Sequence, residues 1–414
     1  MACSTVRWGW RWGLCALLVC AGLANACDSI NGGDERGGWE VAWSRSFSGD
    51  YVTSAQPVID SERTYVALGP SLQCRSLEDG EKCWSTDMIA SEQDLSAGEI
   101  LESAGRLFVN DGSLVRAFAK TDGRIVWSAQ IQDFRSTINA RMAQNTSHLF
   151  LGGKGEVVRI RKDDGTVDLR IPVEQLAPDK FTQTAYEVQV DEGQLFVPTA
   201  YHRDSFEAIR GNVLVFNAQT GAYQWGYDVP HRYVKPPSVS DSIKIDADVE
   251  RVGLGNERAV FAASQSVFAL NRFTGEKKWD VFFKDDGFGE SVVVKSGTAY
   301  VGSLGARVYA FNVRTGEQRW ASREMGGSLF TILTAKHGRV YLGNEAGGQI
   351  WVLEAETGEV IWHSYPPEYA TEGIPYTYVS PLAVGEEYMV NVGGRKIYAL
   401  TIPSGQSHEG CFLY

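Results

Sequence analysis

The stretch Ala269-Leu270-Asn271-Arg272-Phe273-Thr274-Gly275-Glu276-Lys277-Lys278-Trp279 joins a small apolar strand end to an Asn-x-x-Thr-Gly turn, with a tryptophan four residues beyond the glycine. It returns as Ala310-Phe311-Asn312-Val313-Arg314-Thr315-Gly316 before Trp320, and as Val215-Phe216-Asn217-Ala218-Gln219-Thr220-Gly221 before Trp225. The same Gly-to-Trp spacing joins Gly80 to Trp84, Gly123 to Trp127 and Gly358 to Trp362; Gly165 and Leu169 form a degenerate copy, and an eighth turn, Ser404-Gly405, lacks the tryptophan. Successive glycines stand 43, 42, 56, 54, 41, 42 and 47 residues apart. A period of ~40 to 50 residues is that of one four-stranded propeller blade per repeat.

Each unit carries an upstream strand centred on a large apolar residue: Tyr65, Phe108, Phe150, Phe196, Phe261, Tyr300, Tyr341 and Met389. Seven of these precede their glycine by 14 to 17 residues and Phe196 precedes Gly221 by 25, so unit four has gained about ten residues. The turn glycine supplies a positive φ, and strands this apolar bury both faces between neighbouring blades. Trp84, Trp127, Trp225, Trp279, Trp320 and Trp362 then lie on outer strands, where a flat ring fills the wedge between blades. A residue recurring once per repeat is architecture before it is chemistry.

Eight turns need eight outer strands, and the last unit has only a short polar stretch after Gly405. Trp43, in Glu40-Val41-Ala42-Trp43-Ser44, has no turn before it. The expectation is that this segment supplies the outer strand of the final blade beside Lys396 to Ile402, closing the ring and removing free sheet edges. Residues 39–414 therefore read as all-β, a single eight-bladed propeller of four-stranded antiparallel blades; seven blades plus a stray strand is the alternative.

Arg7 and Arg11 precede an apolar run, Leu14 to Leu23, of secretory-signal length and too short to span a bilayer. Ala24-Asn25-Ala26-Cys27 follows, and two readings compete: ordinary cleavage after small residues, or a lipoprotein box with Cys27 as the acylated residue, although Ala24 departs from the usual leucine. Residues 1–26 are read as a signal, lipoprotein type preferred, and 27–38, with Asn31-Gly32-Gly33 and Gly37-Gly38, as a flexible tether. An acylated Cys27 would anchor the chain to a membrane from the periplasm, inner or outer left open. The charge is −12 over the whole chain and near −14 without Arg7 and Arg11, which excludes nucleic acid as the expected partner.

Cys74 and Cys83 flank a turn and read either as a cross-strand disulfide or as two small apolar residues, and Cys411 has no evident partner unless Cys27 is free of lipid. The histidines are scattered, with no His-Glu-x-x-His and no zinc spacing; Gly152-Gly153-Lys154-Gly155 lacks the rest of a phosphate loop, and Asp163-Asp164-Gly165 and Asp246-Ala247-Asp248 complete no calcium loop.

The recurring Ala-x-x-x-x-Thr-Gly-x-x-x-Trp element resembles the tryptophan-docking motif of PQQ-like, quinoprotein-type β-propellers over essentially the whole mature chain. With the lipoprotein box and eight units, the chain resembles the propeller lipoproteins of the outer-membrane β-barrel assembly machine. That resemblance implies a non-enzymatic scaffold that binds a protein partner in the envelope. The alternative is a dehydrogenase or sensor binding PQQ with Ca²⁺, or another small ligand, at the axis. Against it, the adjacent Cys-Cys pair and the Cys-x-x-Cys-His haem motif of such enzymes do not occur in the sequence. No catalytic, cofactor or metal residue is expected.

The insertions mark one face. Tyr201 to Arg210, Gly226 to about Lys244, and His363 to Ser380 all emerge on the same side of the wheel if strands run from the axis outward. They carry Tyr201, Arg203, Arg210, Tyr233, Tyr365, Tyr369, Tyr376 and Tyr378, a composition suited to a partner-binding face. The competing reading folds the tyrosines back as a plug over the central channel.

Overall fold

The computed structural model describes residues 39–47, 55–88, 98–135, 141–173, 181–202, 209–230, 233–234, 243–244, 247–326, 332–343, 349–364, 380–393 and 396–403. The predicted signal, Cys27, the tether and Cys411 lie outside them. Among the described residues there are eight blades of antiparallel strands and no helix. Blade one runs outward as Val58–Ile59, Arg63–Leu68, Ser71–Ser76 and Lys82–Asp87. Blade five repeats it as Gly253–Leu254, Arg258–Ala263, Ser266–Asn271 and Lys277–Phe282. Blade four departs from the four-stranded plan: its inner edge is split into Phe181–Ala185 and Gln189–Asp191, both paired with the nine-residue strand Gln194–His202. The longer strand outruns a single inner strand, and the chain breaks at Tyr186 to Val188 to follow its twist.

The ring closes as the sequence predicts. Val41–Ser46 pairs antiparallel with Lys396–Thr401, placing Trp43 opposite Ala399, so the final blade is built from both ends of the propeller sequence. Closure satisfies backbone groups that an edge would leave open, and it couples the first and last blades.

There is no single core. Eight clusters of buried side chains fill the eight interfaces between neighbouring blades. The closing interface joins Trp43, Val390, Val392, Ile397 and Ala399 of blade eight to Val66, Leu68 and Leu77 of blade one. All eight upstream apolar residues, Tyr65 through Met389, are buried on second strands. Burying a side chain of that size contributes ~1.5–3 kcal/mol, which is why the period survives where the turn sequence drifts.

The tryptophans do more than fill space. Six of them lie on the turn glycine of the next blade and donate Nε1–H to the carbonyl three residues before that glycine. The bonds are Trp43 to Leu77 at 2.7 Å, Trp84 to Lys120 at 3.2 Å, Trp127 to Lys162 at 3.0 Å, Trp225 to Arg272 at 3.1 Å, Trp279 to Val313 at 2.9 Å and Trp320 to Ala355 at 3.1 Å. The glycine is required twice over: its φ is +72° at Gly80, and a Cβ there would stand 2.5 Å from the Trp43 ring.

Blade three lacks its tryptophan, and the structure shows the substitute. Leu169 and Ile171 cover Gly221, while Arg159 Nη1 donates to Ala218 O, the carbonyl an indole would otherwise take, at 3.0 Å. Asp168 holds Arg159 Nε at 2.8 Å and also meets His148 Nε2 at 3.1 Å. The Arg159 and His148 bonds keep the Asp168 carboxyl below its usual range although burial pushes the other way. At the far end, Trp362 stacks on Trp39 with centroids 5.1 Å apart.

Candidate functional site

Antiparallel order places two kinds of connection on one face: those from second to third strand, and those from an outer strand to the next inner strand. The long connections belong to this face, which also carries tight links such as Leu68 to Ser71 and Ala263 to Ser266; among the described residues the other face carries only short turns. Part of the blade four to blade five connection is fixed in place. It forms a short ribbon, Tyr233–Val234 with Ile243–Lys244, and then runs back along blade four. There Ala247 N donates to Ile209 O at 2.9 Å, Val249 N to Thr199 O at 3.4 Å and Glu187 N to Glu250 O at 3.2 Å. Gly211 makes the close approach feasible, since a Cβ there would meet Ala247 O at 2.3 Å. Ala247, Val249 and Val252 are buried in the blade four to five interface, so a shelf is welded to a rigid scaffold.

At the axis, a cavity of about 280 Å³ opens where the inner strands begin on this same face. Four successive blades each contribute one charged side chain at that level: Glu99, Arg141, Glu187 and Arg251. The signs alternate and the groups touch. Arg141 Nη1 lies 2.9 Å from Glu99 Oε2, Arg141 Nε 3.8 Å from Glu187 Oε2, and Arg251 Nη1 3.0 Å from Glu187 Oε1. Burial pushes the Glu99 carboxyl up; Arg141 opposes this and Glu187 reinforces it. On the other side of the axis, the described contacts are between uncharged groups. Gln56 Nε2 donates to Leu382 O at 2.5 Å, Thr334 Oγ1 to Leu382 O at 3.1 Å, and Leu333 N to Ser291 Oγ at 3.0 Å.

These contacts stitch blade to blade around the axis. They also define the chemistry available there. Both carboxylates lining the cavity are held by arginines, a donor set unsuited to a divalent cation, and among the described residues no three His, Cys, Asp or Glu converge as metal ligands. Among the described residues, those lining this cavity do not supply the donor set that a calcium-bound quinone would need.

Of the residues expected on the partner face, Tyr201 is 4% exposed and forms part of the blade four wall. Arg210 is half-buried at the start of the strand Arg210–Asn217, and Tyr233 starts the ribbon. Arg203, Tyr365, Tyr369, Tyr376 and Tyr378 lie outside the described residues. Cys74 is buried, Cys83 is exposed, and both are free thiols. The sequence reading missed the charged ladder; the signal that could have found it is spacing, since Glu99, Arg141 and Glu187 each stand nine residues before the large apolar residue of their second strand, Phe108, Phe150 and Phe196.

A sequence family described as outer membrane protein assembly factor BamB matches residues 28–243 and 263–409. The chain belongs to this family. Among solved structures it is similar to BamB from Moraxella catarrhalis, at 12% identity and TM-score 0.63, covering 90% of this chain and 100% of that one. It is also similar to the quinohemoprotein alcohol dehydrogenase ADHIIG from Pseudomonas putida HK5, at 12% identity and TM-score 0.64, covering 88% and 76%. The computationally designed Ika8 protein matches at 12% identity and TM-score 0.60, covering 86% and 100%. At such identities these structures share the fold alone, and a designed wheel among them shows that the BamB-type architecture needs no particular function. No curated protein matches the sequence.

Proposed function

We propose that this BamB-family chain is a membrane-anchored periplasmic scaffold in outer membrane protein assembly, with Cys27 as its lipid attachment and the loop-bearing face as its docking surface. The observation that carries the reading is the segregation of long connections to one face of a closed, rigid ring, with a fixed shelf and paired ribbon at blades four and five. Loops on a rigid scaffold are where binding is normally placed. The ribbon Tyr233–Val234 with Ile243–Lys244 offers backbone edges that an extended partner segment can pair with.

The family supports the assembly role, and the axial donor set speaks against the quinone alternative. A photo-reactive residue at Tyr233, compared with one at Asp122 on the turn face, tests the assignment in intact cells. Cross-links to an outer membrane protein assembly component from Tyr233 alone support it. Equal yields from both positions, or capture from Asp122 alone, refute it.

A further inference from the structure

The turn that receives Trp43 is the latch of the ring. Leu77 O accepts from the indole at 2.7 Å, the ring lies on Gly80, and Arg45 of the closing strand contacts Asp79 O and the Glu81 carboxylate. Within blade one, Arg75 Nη1 donates to Gly80 O at 2.8 Å and braces the same turn from beneath. At its base stand two cysteines. Cys74 ends the regular pairing at Trp84, the register shifts before Arg75 meets Lys82, and Cys83 is the extra residue of the resulting bulge. Elsewhere the corresponding positions hold pairs such as Ala117 with Val126, Ala269 with Lys278 and Ala310 with Arg319. Two thiols occur here in blade one, the blade whose turn receives the indole of the closing strand.

We propose that Cys74 and Cys83 form an intramolecular disulfide that staples the base of this latch and so stabilises closure of the propeller. Adjacent antiparallel strands bring Cα atoms within the span a disulfide bridges, and the bulge places Cys83 next to Trp84, the residue that pairs with Cys74.

Their environments fix the order of events. Cys74 is fully buried beside Tyr65, Leu72, Leu107 and Phe118, whereas Cys83 is exposed. An external disulfide, small or protein-borne, reaches Cys83 first. The Cys83 thiolate attacks it, forming a mixed disulfide and releasing one thiol. Cys74 then gives up its proton and attacks the Cys83 sulfur, expelling the second thiol. Two thiols are oxidised and one external disulfide is reduced. Burial and the contact with Cys83 push the Cys74 thiol up, so its thiolate is a poor leaving group, and reduction by attack at Cys83 is slow. Oxidising compartments favour the bridge, and the proposed periplasmic location supplies one.

The test uses the full chain, reduced and then exposed to oxidised glutathione, with peptide mapping under non-reducing conditions. The expected product is a Cys74 to Cys83 cross-link. Cys74→Ser should instead retain glutathione on Cys83, and Cys83→Ser should leave Cys74 unmodified in the folded protein. Amide exchange of residues 41–46 should slow at least threefold on oxidation in the wild type and stay unchanged in the two serine variants. Persistent glutathione on Cys83 in the wild type, pairing of Cys83 with Cys411, or a cross-link that leaves exchange of 41–46 unaltered would each overturn the proposal. Partner capture at Tyr233 reports on the docking face separately, so the two ideas can fail independently.

Discussion

Trp43 and Gly80 meet across the seam where the chain's beginning joins blade one, with the indole against the glycine and its N–H on Leu77 O at 2.7 Å. The same relation recurs at the other docked interfaces. The propeller is therefore held by a series of equivalent wedges rather than by one core. Damage to one wedge is local, except at the seam, where it also frees the closing strand.

Gly80→Ala should destabilise the protein by about 2–4 kcal/mol, combining positive-φ strain with displacement of the indole. Gly105→Ala is the control. It shares a φ of +75° but has nothing within 4 Å of the added methyl, so about 1 kcal/mol is expected. Denaturant titration of the two variants separates strain from the steric clash. Equal losses would mean that the docking contact contributes nothing.

Arg159→Leu should weaken the blade three to four interface by about 1–3 kcal/mol, because Ala218 O loses a donor and Asp168 loses its cation. Leu169→Trp in that background places an indole where the other blades have one. Recovery of most of the loss, measured by chemical denaturation, is the predicted outcome. Further loss would show that Arg159 does not substitute for the indole.

The axial ladder makes a prediction of the opposite kind. Arg141→Met leaves Glu99 and Glu187 facing one another in the channel wall and should cost about 3–5 kcal/mol near neutral pH. Adding Glu99→Gln should recover part of this. Stability curves for the single and double variants decide it, and strict additivity would show that the groups are not coupled.

Two carboxyls respond to acid in opposite senses. Burial pushes Asp60 up, but hydrogen bonds from Glu62 N, Lys120 Nζ, Arg63 N and Tyr65 Oη outweigh it and hold the carboxyl below its ordinary value of 3.8. Its stabilisation is present above that value and lost as pH falls through the lower folded pKa. Glu99 is raised from 4.5, so its contribution is full below 4.5 and lost as pH rises through the folded pKa. Stability measured from pH 2 to 7 should therefore show a shallower acid loss in Asp60→Asn. In Glu99→Gln, the loss as pH rises above 4.5 should disappear.

How much was readable follows from what each feature demands of the chain. Gly275 and Trp279 are dictated by a positive φ and a flat ring at fixed spacing, so the period, the eight blades and the closing role of Trp43 stood in the sequence. The ladder did not, because inner strands as short as Gly253–Leu254 and Ala383–Val384 carry no alternation to align. Arg159 was hidden for another reason. Its partner Ala218 belongs to the next blade, 59 residues on, and a guanidinium hydrogen bond to a carbonyl in place of an indole leaves no motif. Trp39 lay upstream of every repeat, so its stacking on Trp362 had no counterpart to suggest it.

The seam itself admits a direct measurement. Ser46 pairs with Lys396 in the closing blade, so the variant Ser46→Cys with Lys396→Cys should form a cross-link joining the two ends of the propeller on mild oxidation. Peptide mapping of that bond, with retained stability, is the result expected. Single-site reactivity at both positions without a cross-link would contradict a wheel sealed by its own first strand.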